Sequence, residues 1–180
     1  MDWKTVITFW FGECGPDQWF FKKTKTFDRL LRKKFLKTYE EVVRGEHADW
    51  RAHPKGRLAE IIIIDQLSRN MFRGTAGMFA YDTLALALSQ EAVAAGADKR
   101  MTKDERLFMY LPFMHSESKK VQKESMRLFR KYHGDKKTIW FAADHKKIID
   151  RFGRYPHRNK ILGRKSTPAE KKFMLTHKGY

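Results

Sequence analysis

The sequence predicts an all-α protein built from antiparallel helical hairpins, and three observations carry that prediction. Apolar residues recur at three and four positions in segment after segment, as one buried helix face requires. No segment shows the period-two alternation of a half-buried strand. Helix-opening residues and closing glycines punctuate the chain at intervals that leave short connections between antiparallel neighbours. The 180 residues are enough for one sizeable core, and 42% apolar with 14% aromatic composition argues for a packed chain. A single domain over residues 1–180 is the expectation.

Asp2 is placed to cap a first short helix through Phe11, ended by Gly12, with Gly15 and Pro16 keeping the next segment irregular. From Thr26, the positions Phe27, Leu30, Leu31, Phe35, Tyr39 and Val42 form the apolar face of a helix of about five turns. Gly45 ends it. Pro54 suits a helix start, and RLAEIIIIDQLSRNMF is too long for an ordinary strand, which makes it a buried helix despite four isoleucines. Gly74 and Gly77 turn the chain, and Asp82 is read as the cap of an Ala/Leu-rich helix.

Thr102 and Glu105 form a capping box that opens DERLFMYLPFM, which Pro112 kinks or ends. Ser116 or Ser118 opens the next helix, and Gly134 closes it. Residues 138–152 then place Trp140, Ala143, Ile148 and Phe152 near one apolar stripe. Thr167, Pro168 and Glu170 supply an N-cap, an N1 proline and an N3 acid for a last helix through Leu175.

Thirty-eight Lys and Arg against 21 acids give a formal net charge of +17, which favours anionic partners. The single cysteine, Cys14, forms no internal disulfide and has no metal-knuckle spacing around it. The run IIIIDQL is cut by Asp65 long before it spans a bilayer, so a soluble cytoplasmic protein without a membrane role is expected.

Three constellations have the residue types for binding or catalysis. In the buried helix, Asp65, Arg69 and Arg73 recur at four, beside Gln66 and Asn70. Two guanidinium groups there need acceptors, supplied either by a bound anion or, more plainly, by Asp65 and a neighbouring loop. His115 and Glu117 follow Pro112, where a carboxylate can cap free backbone donors. His145 lies in an apolar helical pattern and reads first as a satisfied core residue.

The third constellation, RFGRYPHRNK at 151–160, sets Arg154, His157, Arg158 and Asn159 on a turn made by Gly153 and Pro156. Guanidinium forks suit phosphate or carboxylate, and the plainer use of the same groups is bonding to helix-end carbonyls. No metal signature, phosphate loop or nucleophile elbow is present in the sequence, and it calls for no cofactor.

The stretches FWFG (9–12), DQLSRNMFRGTAGMFAYDTLALAL (65–88), ERLFMYLPFMHSES (105–118) and FGRYPHRNKILGRKSTPAE (152–170) resemble the bacterial domain-of-unknown-function family 924 over essentially the whole chain. The resemblance implies a tetratricopeptide-like right-handed superhelix of helical hairpins and no established activity. It places the family's motifs on Asp65 to Gly74, on His115 to Glu117 and on Phe152 to Asn159. Leu67 and Ser68 replace the family's usual Phe-Pro.

The leading expectation is that these motifs converge on a pocket for a small anionic ligand or an acidic peptide. Gln66, Arg69, Asn70, Arg73, Arg154, His157, Arg158 and Asn159 would bind it, between walls of Tyr110 and Tyr155. An alternative is an enzyme in which His115 or His145 is the general base and Glu117 orients it. A third reading is a nucleic-acid-binding protein that uses the basic faces of residues 22–37 and 119–137. It ranks last because Phe27, Phe35 and Phe129 fall on apolar faces, leaving no aromatics to stack on bases.

Overall fold

A computed structural model of the chain describes residues 1–21, 24–177 and 179. Every regular element among them is helical, which is the all-α fold expected. The α-helices are α1 (Trp3–Thr8), α2 (Lys25–Val43), α3 (Pro54–Ile61), α4 (Ser68–Met71), α5 (Asp82–Ala94), α6 (Lys103–His115), α7 (Lys119–Leu128), α8 (Lys136–Phe152) and α9 (Pro168–Met174). The chain divides into two compact units, Met1–Arg73 with Gly77–Pro112, and Phe113–Tyr180 with Gly74–Ala76.

The first unit is organised around the helix that begins at Pro54. Residues 58–68 are buried without a break, because α1 and α5 pack on α3 while α2 covers the continuation. That continuation is a π-helical turn, Ile62–Leu67, before α4 resumes the α form. Gly56 lets α3 approach its neighbour: a Cβ there would lie 2.1 Å from the Trp50 carbonyl oxygen. At the other side of the core, Trp10, Phe11 and Trp19 meet Phe108 edge-on at centroid distances of 5.5, 5.6 and 5.1 Å.

Four local expectations change in this unit. The first helix runs past Gly12 as a π turn to Glu13, and Asp17–Phe21 forms a further π turn, tied down by the Trp19 Nε1–H on the Trp10 carbonyl. Leu30 is exposed, since Phe27, Leu31, Phe35 and Val42 already fill the stripe that α2 buries. Asp82 is the first residue of α5 rather than its cap, because its carboxylate is engaged by Arg69. Of the two expectations for Pro112, a kink or an end, the end is overturned, since Pro112 lies inside α6, which continues to His115.

The second unit is a hairpin followed by a turn and a short helix. Helix α7 is capped by the Ser118 hydroxyl and extends as a π turn to His133. Gly134 then reverses the chain, and α8 begins with the Asp135 carboxylate accepting from the Thr138 N–H. Ala142, His145, Ile148 and Ile149 form the buried face of α8. Trp140 and Ala143, expected on that face, are exposed, with 60% of Trp140 open to solvent. Gly153 adopts φ 69°, the left-handed conformation that ends α8 and starts the RYPHRN turn. Helix α9 opens with the Thr167/Glu170 capping box and packs Phe173 on Phe152 at 5.1 Å.

Candidate functional site

The π turn in the first unit buries Asp65 and Gln66 at the start of the motif, and the half-buried Arg69 and Arg73 that follow find protein acceptors. Arg69 donates to the Asp65 carbonyl at 2.6 Å and to the Asp82 carboxylate at 3.1 Å, and it approaches the Asp65 carboxylate at 3.4 Å. Arg73 grips Asp28 of α2 with both arms of its fork, at 2.7 and 2.9 Å. Gln66 donates to Asp65 and Asn70 to the Gln66 carbonyl. This is the plainer of the two readings of the motif, an internal clamp of α4 to α2 and α5. Tyr110 belongs to the same unit's core, 0% exposed with its hydroxyl 2.7 Å from Asp98, so it walls no opening.

The HSE and RYPHRN motifs meet in the second unit. Glu117 does not cap α7, the task taken by Ser118. Its carboxylate instead accepts from Arg164 at 2.6 and 3.0 Å and from the Tyr155 N–H at 2.8 Å. Burial opposes its ionisation, but the Arg164 fork and the Tyr155 N–H outweigh burial and hold its pKa below the ordinary carboxylate value. Arg164 in turn donates to Asn159 Oδ1, whose amide group reaches Ser166 and Glu170.

Arg154 binds Glu170 with both arms, at 2.6 and 2.9 Å. That contact, with the Thr167 N–H, pulls the Glu170 pKa down to about 2. Arg158 is buried, donates to the His115 carbonyl at the end of α6, and lies 4.6 Å from the Tyr155 ring centre. Tyr155 is 0% exposed and its hydroxyl donates to the Met114 carbonyl. The ring is therefore core, not the pocket wall expected from its place in the motif.

The candidate histidines of this unit, His115, His145 and His157, are partly or fully enclosed. His145 donates through Nδ1 to the Phe141 carbonyl at 2.8 Å, and burial pushes its pKa down to about 3. A base so weak is poorly matched to proton abstraction near neutral pH. Burial and the neighbouring Arg158 likewise push His157 down to about 4. His115 lies with its ring 6.5 Å from that of His145. Glu117 serves Arg164 and Tyr155 rather than either base.

Sequence reasoning missed Arg164, although LGRKSTPAE lies within the motif span. The available signal was its position three residues before Thr167, in a segment already expected to fold back onto a helix start.

Open concave surface lies elsewhere in the second unit. A groove of about 490 Å³ runs between α7 and α8, lined by Lys123, Met126 and Arg130 on one side and Ala143, Lys146, Lys147 and Asp150 on the other. These residues occupy an i, i+3, i+7 stripe on α7 and an i, i+3, i+4, i+7 stripe on α8. Lys146 pairs with Asp150, whereas no ion pair among the described residues engages Lys123, Arg130 or Lys147. Of the other basic stretch, 22–37, Lys22 and Lys23 lie outside the described residues.

A second cavity of about 490 Å³ in the first unit is walled by Trp3, Trp50, His47 and His53 and rimmed by Asp2, Glu46 and Asp49. Its carboxylates make it unsuited to anions. No group of three or more His, Cys, Asp or Glu among the described residues is arranged to hold a metal, and no helix among them is long and apolar enough to cross a membrane.

Residues 6–178 match the family of bacterial proteins of unknown function DUF924. A solved protein of unknown function from Agrobacterium tumefaciens is 36% identical, with 96% of each chain covered and a TM-score of 0.90. No curated protein matches the chain. The match over residues 6–178 identifies the chain as a member of the DUF924 family, an all-α protein of uncharacterised function.

Proposed function

We propose that this protein is a helical scaffold that binds a small anionic ligand or the acidic end of a peptide, and that the binding surface is the α7–α8 groove rather than the arginine-rich motifs. One observation carries the reading: Lys123, Arg130 and Lys147 border one concavity with no acidic partner among the described residues, whereas Arg69, Arg73, Arg154 and Arg164 are each spent on a carboxylate. Unpaired cations around a concave surface raise the local concentration of anions and supply charge-assisted donors at no cost of breaking an internal pair.

Stacked hairpins of tetratricopeptide-like type would present such a groove, and a reducing, cytoplasmic setting is part of the same reading, supported by a lone, buried Cys14. Calorimetric titration with tripolyphosphate tests the proposal. Saturable binding is expected, weakened at least tenfold in the Lys123→Gln/Lys147→Gln double variant and little changed in Arg73→Lys. Equal binding by wild type and double variant overturns it.

A further inference from the structure

Resting on the anion-binding reading above, we infer that the α7–α8 groove takes a single-stranded nucleic acid, with Trp140 as the platform on which a base stacks. Three observations on the same hairpin lead there.

The first is the net charge the hairpin carries. Between residues 119 and 152 there are eleven Lys and Arg against four Asp and Glu, so seven of the seventeen net positive charges fall on this one hairpin. Residues 22–37 and 153–180 each carry an equal excess, so charge supplies the electrostatic track a polyanion requires, and the two observations that follow select the hairpin.

The second is the exposed tryptophan. Trp140 is 60% exposed, and among the described residues of the hairpin no other large apolar side chain is so open. It stands one helical turn before Ala143 and two before Lys147, so it continues the α8 stripe that lines the groove. An indole left in water beside a row of cations has the two components of sequence-tolerant strand binding, a stacking surface and an electrostatic track.

The third is shape. From Trp140 to Asp150 the stripe rises about 15 Å at 1.5 Å per residue, which suits about four nucleotides at ~3.4 Å each. The floor, Met126, is a flexible apolar side chain at 6% exposure, and the flanks are the charged stems of Lys123, Arg130 and Lys147. A membrane surface would call for several protruding apolar groups, whereas here a single indole flanks a concavity.

The test is fluorescence anisotropy of a labelled twelve-residue oligothymidylate, titrated at several salt concentrations. The wild-type protein should bind saturably, with log K falling against log salt at a slope of about −2, as three strand phosphates neutralised by the groove cations require. Lys147→Gln should shallow that slope by about 0.7, whereas Lys33→Gln, on the exposed face of α2, should leave it unchanged. Trp140→Ala should weaken binding roughly tenfold and Trp140→Phe much less, since a phenyl ring still stacks. Both changes are at an exposed position, and circular dichroism of each variant should match wild type.

Tripolyphosphate separates this inference from the reading it rests on. If tripolyphosphate binds the groove but the oligonucleotide binds no better in wild type than in Trp140→Ala, the nucleic-acid assignment fails and anion binding stands. If neither binds, both fail. Binding to phosphatidylserine vesicles with a blue-shifted Trp140, and none to the oligonucleotide, also overturns the assignment.

Discussion

Glu117 and Glu170 do the same job at two places in one network: each takes both arms of an arginine and a backbone N–H. Removing the charge from Glu117 leaves Arg164 without its anionic partner, with Asn159 Oδ1 and the Tyr155 carbonyl still accepting from it. Because both side chains are about a quarter exposed, the expected cost lies between that of a surface pair and a buried one. Glu117→Gln should therefore lower the unfolding free energy by about 2 kcal/mol in urea denaturation, with no change in anion binding.

The sign of the pH dependence follows from the same groups. His145 and His157, depressed to about 3 and about 4, stay neutral in the fold while the unfolded chain protonates near 6.5. Glu170, depressed to about 2 from 4.5, stays ionised in the fold while the unfolded chain takes up its proton. All three stabilise the protein above their ordinary pKa values and cease to as pH falls through the folded ones. Melting temperature should begin to fall below about pH 6.5 and fall further between about 4.5 and 2. His145→Phe should flatten the upper part of that decline and Glu170→Gln the lower part.

At the scale of the elements, helix starts were the most legible feature, because a capping box is a short-range exchange of two hydrogen bonds that needs no tertiary information. Thr102 with Glu105 and Thr167 with Glu170 form both bonds in the structure. Stripe assignment was less legible where two apolar stripes compete. In α8, Trp140 and Ala143 lie on one side and Ala142, His145 and Ile149 on the other, both at helical spacing.

Packing chose the side with Ile148 and Ile149, against Tyr155, and left the larger indole in solvent. Periodicity alone carries no term for what a face meets. Asp82 illustrates the same limit, since a cap residue recruited by an arginine thirteen positions upstream leaves no local trace. Gly56 shows the opposite case of a strict local demand set by a neighbour. Gly56→Ala would drive a Cβ into the Trp50 carbonyl, and the expected destabilisation is more than about 3 kcal/mol, read as a lowered denaturation midpoint with the urea slope unchanged.

Across the whole chain, the family motifs lie apart from the surface proposed here for binding. The DQ, HSE and RYPHRN stretches carried the family resemblance, and the match over residues 6–178 agrees with it. Their arginines read equally well as ligand donors or as internal clamps, because a guanidinium requires an acceptor and the sequence does not say whether that acceptor is another side chain. The structure supplies Asp28, Asp82, Glu117 and Glu170. Lys123 and Arg130 carried no motif and entered only the last-ranked nucleic-acid reading, through the basic face of 119–137, and Lys147 was not singled out, yet all three border the open concavity.

Amide chemical-shift mapping of the ¹⁵N-labelled protein with tripolyphosphate distinguishes anion binding between α7 and α8 from binding at the motif arginines. Binding in the groove should produce concentration-dependent shifts confined to residues 123–130 and 140–150, with the amides of 65–73 and 154–159 unmoved. Shifts centred on 65–73 or 154–159, with the hairpin silent, would contradict it and return the binding site to the motifs.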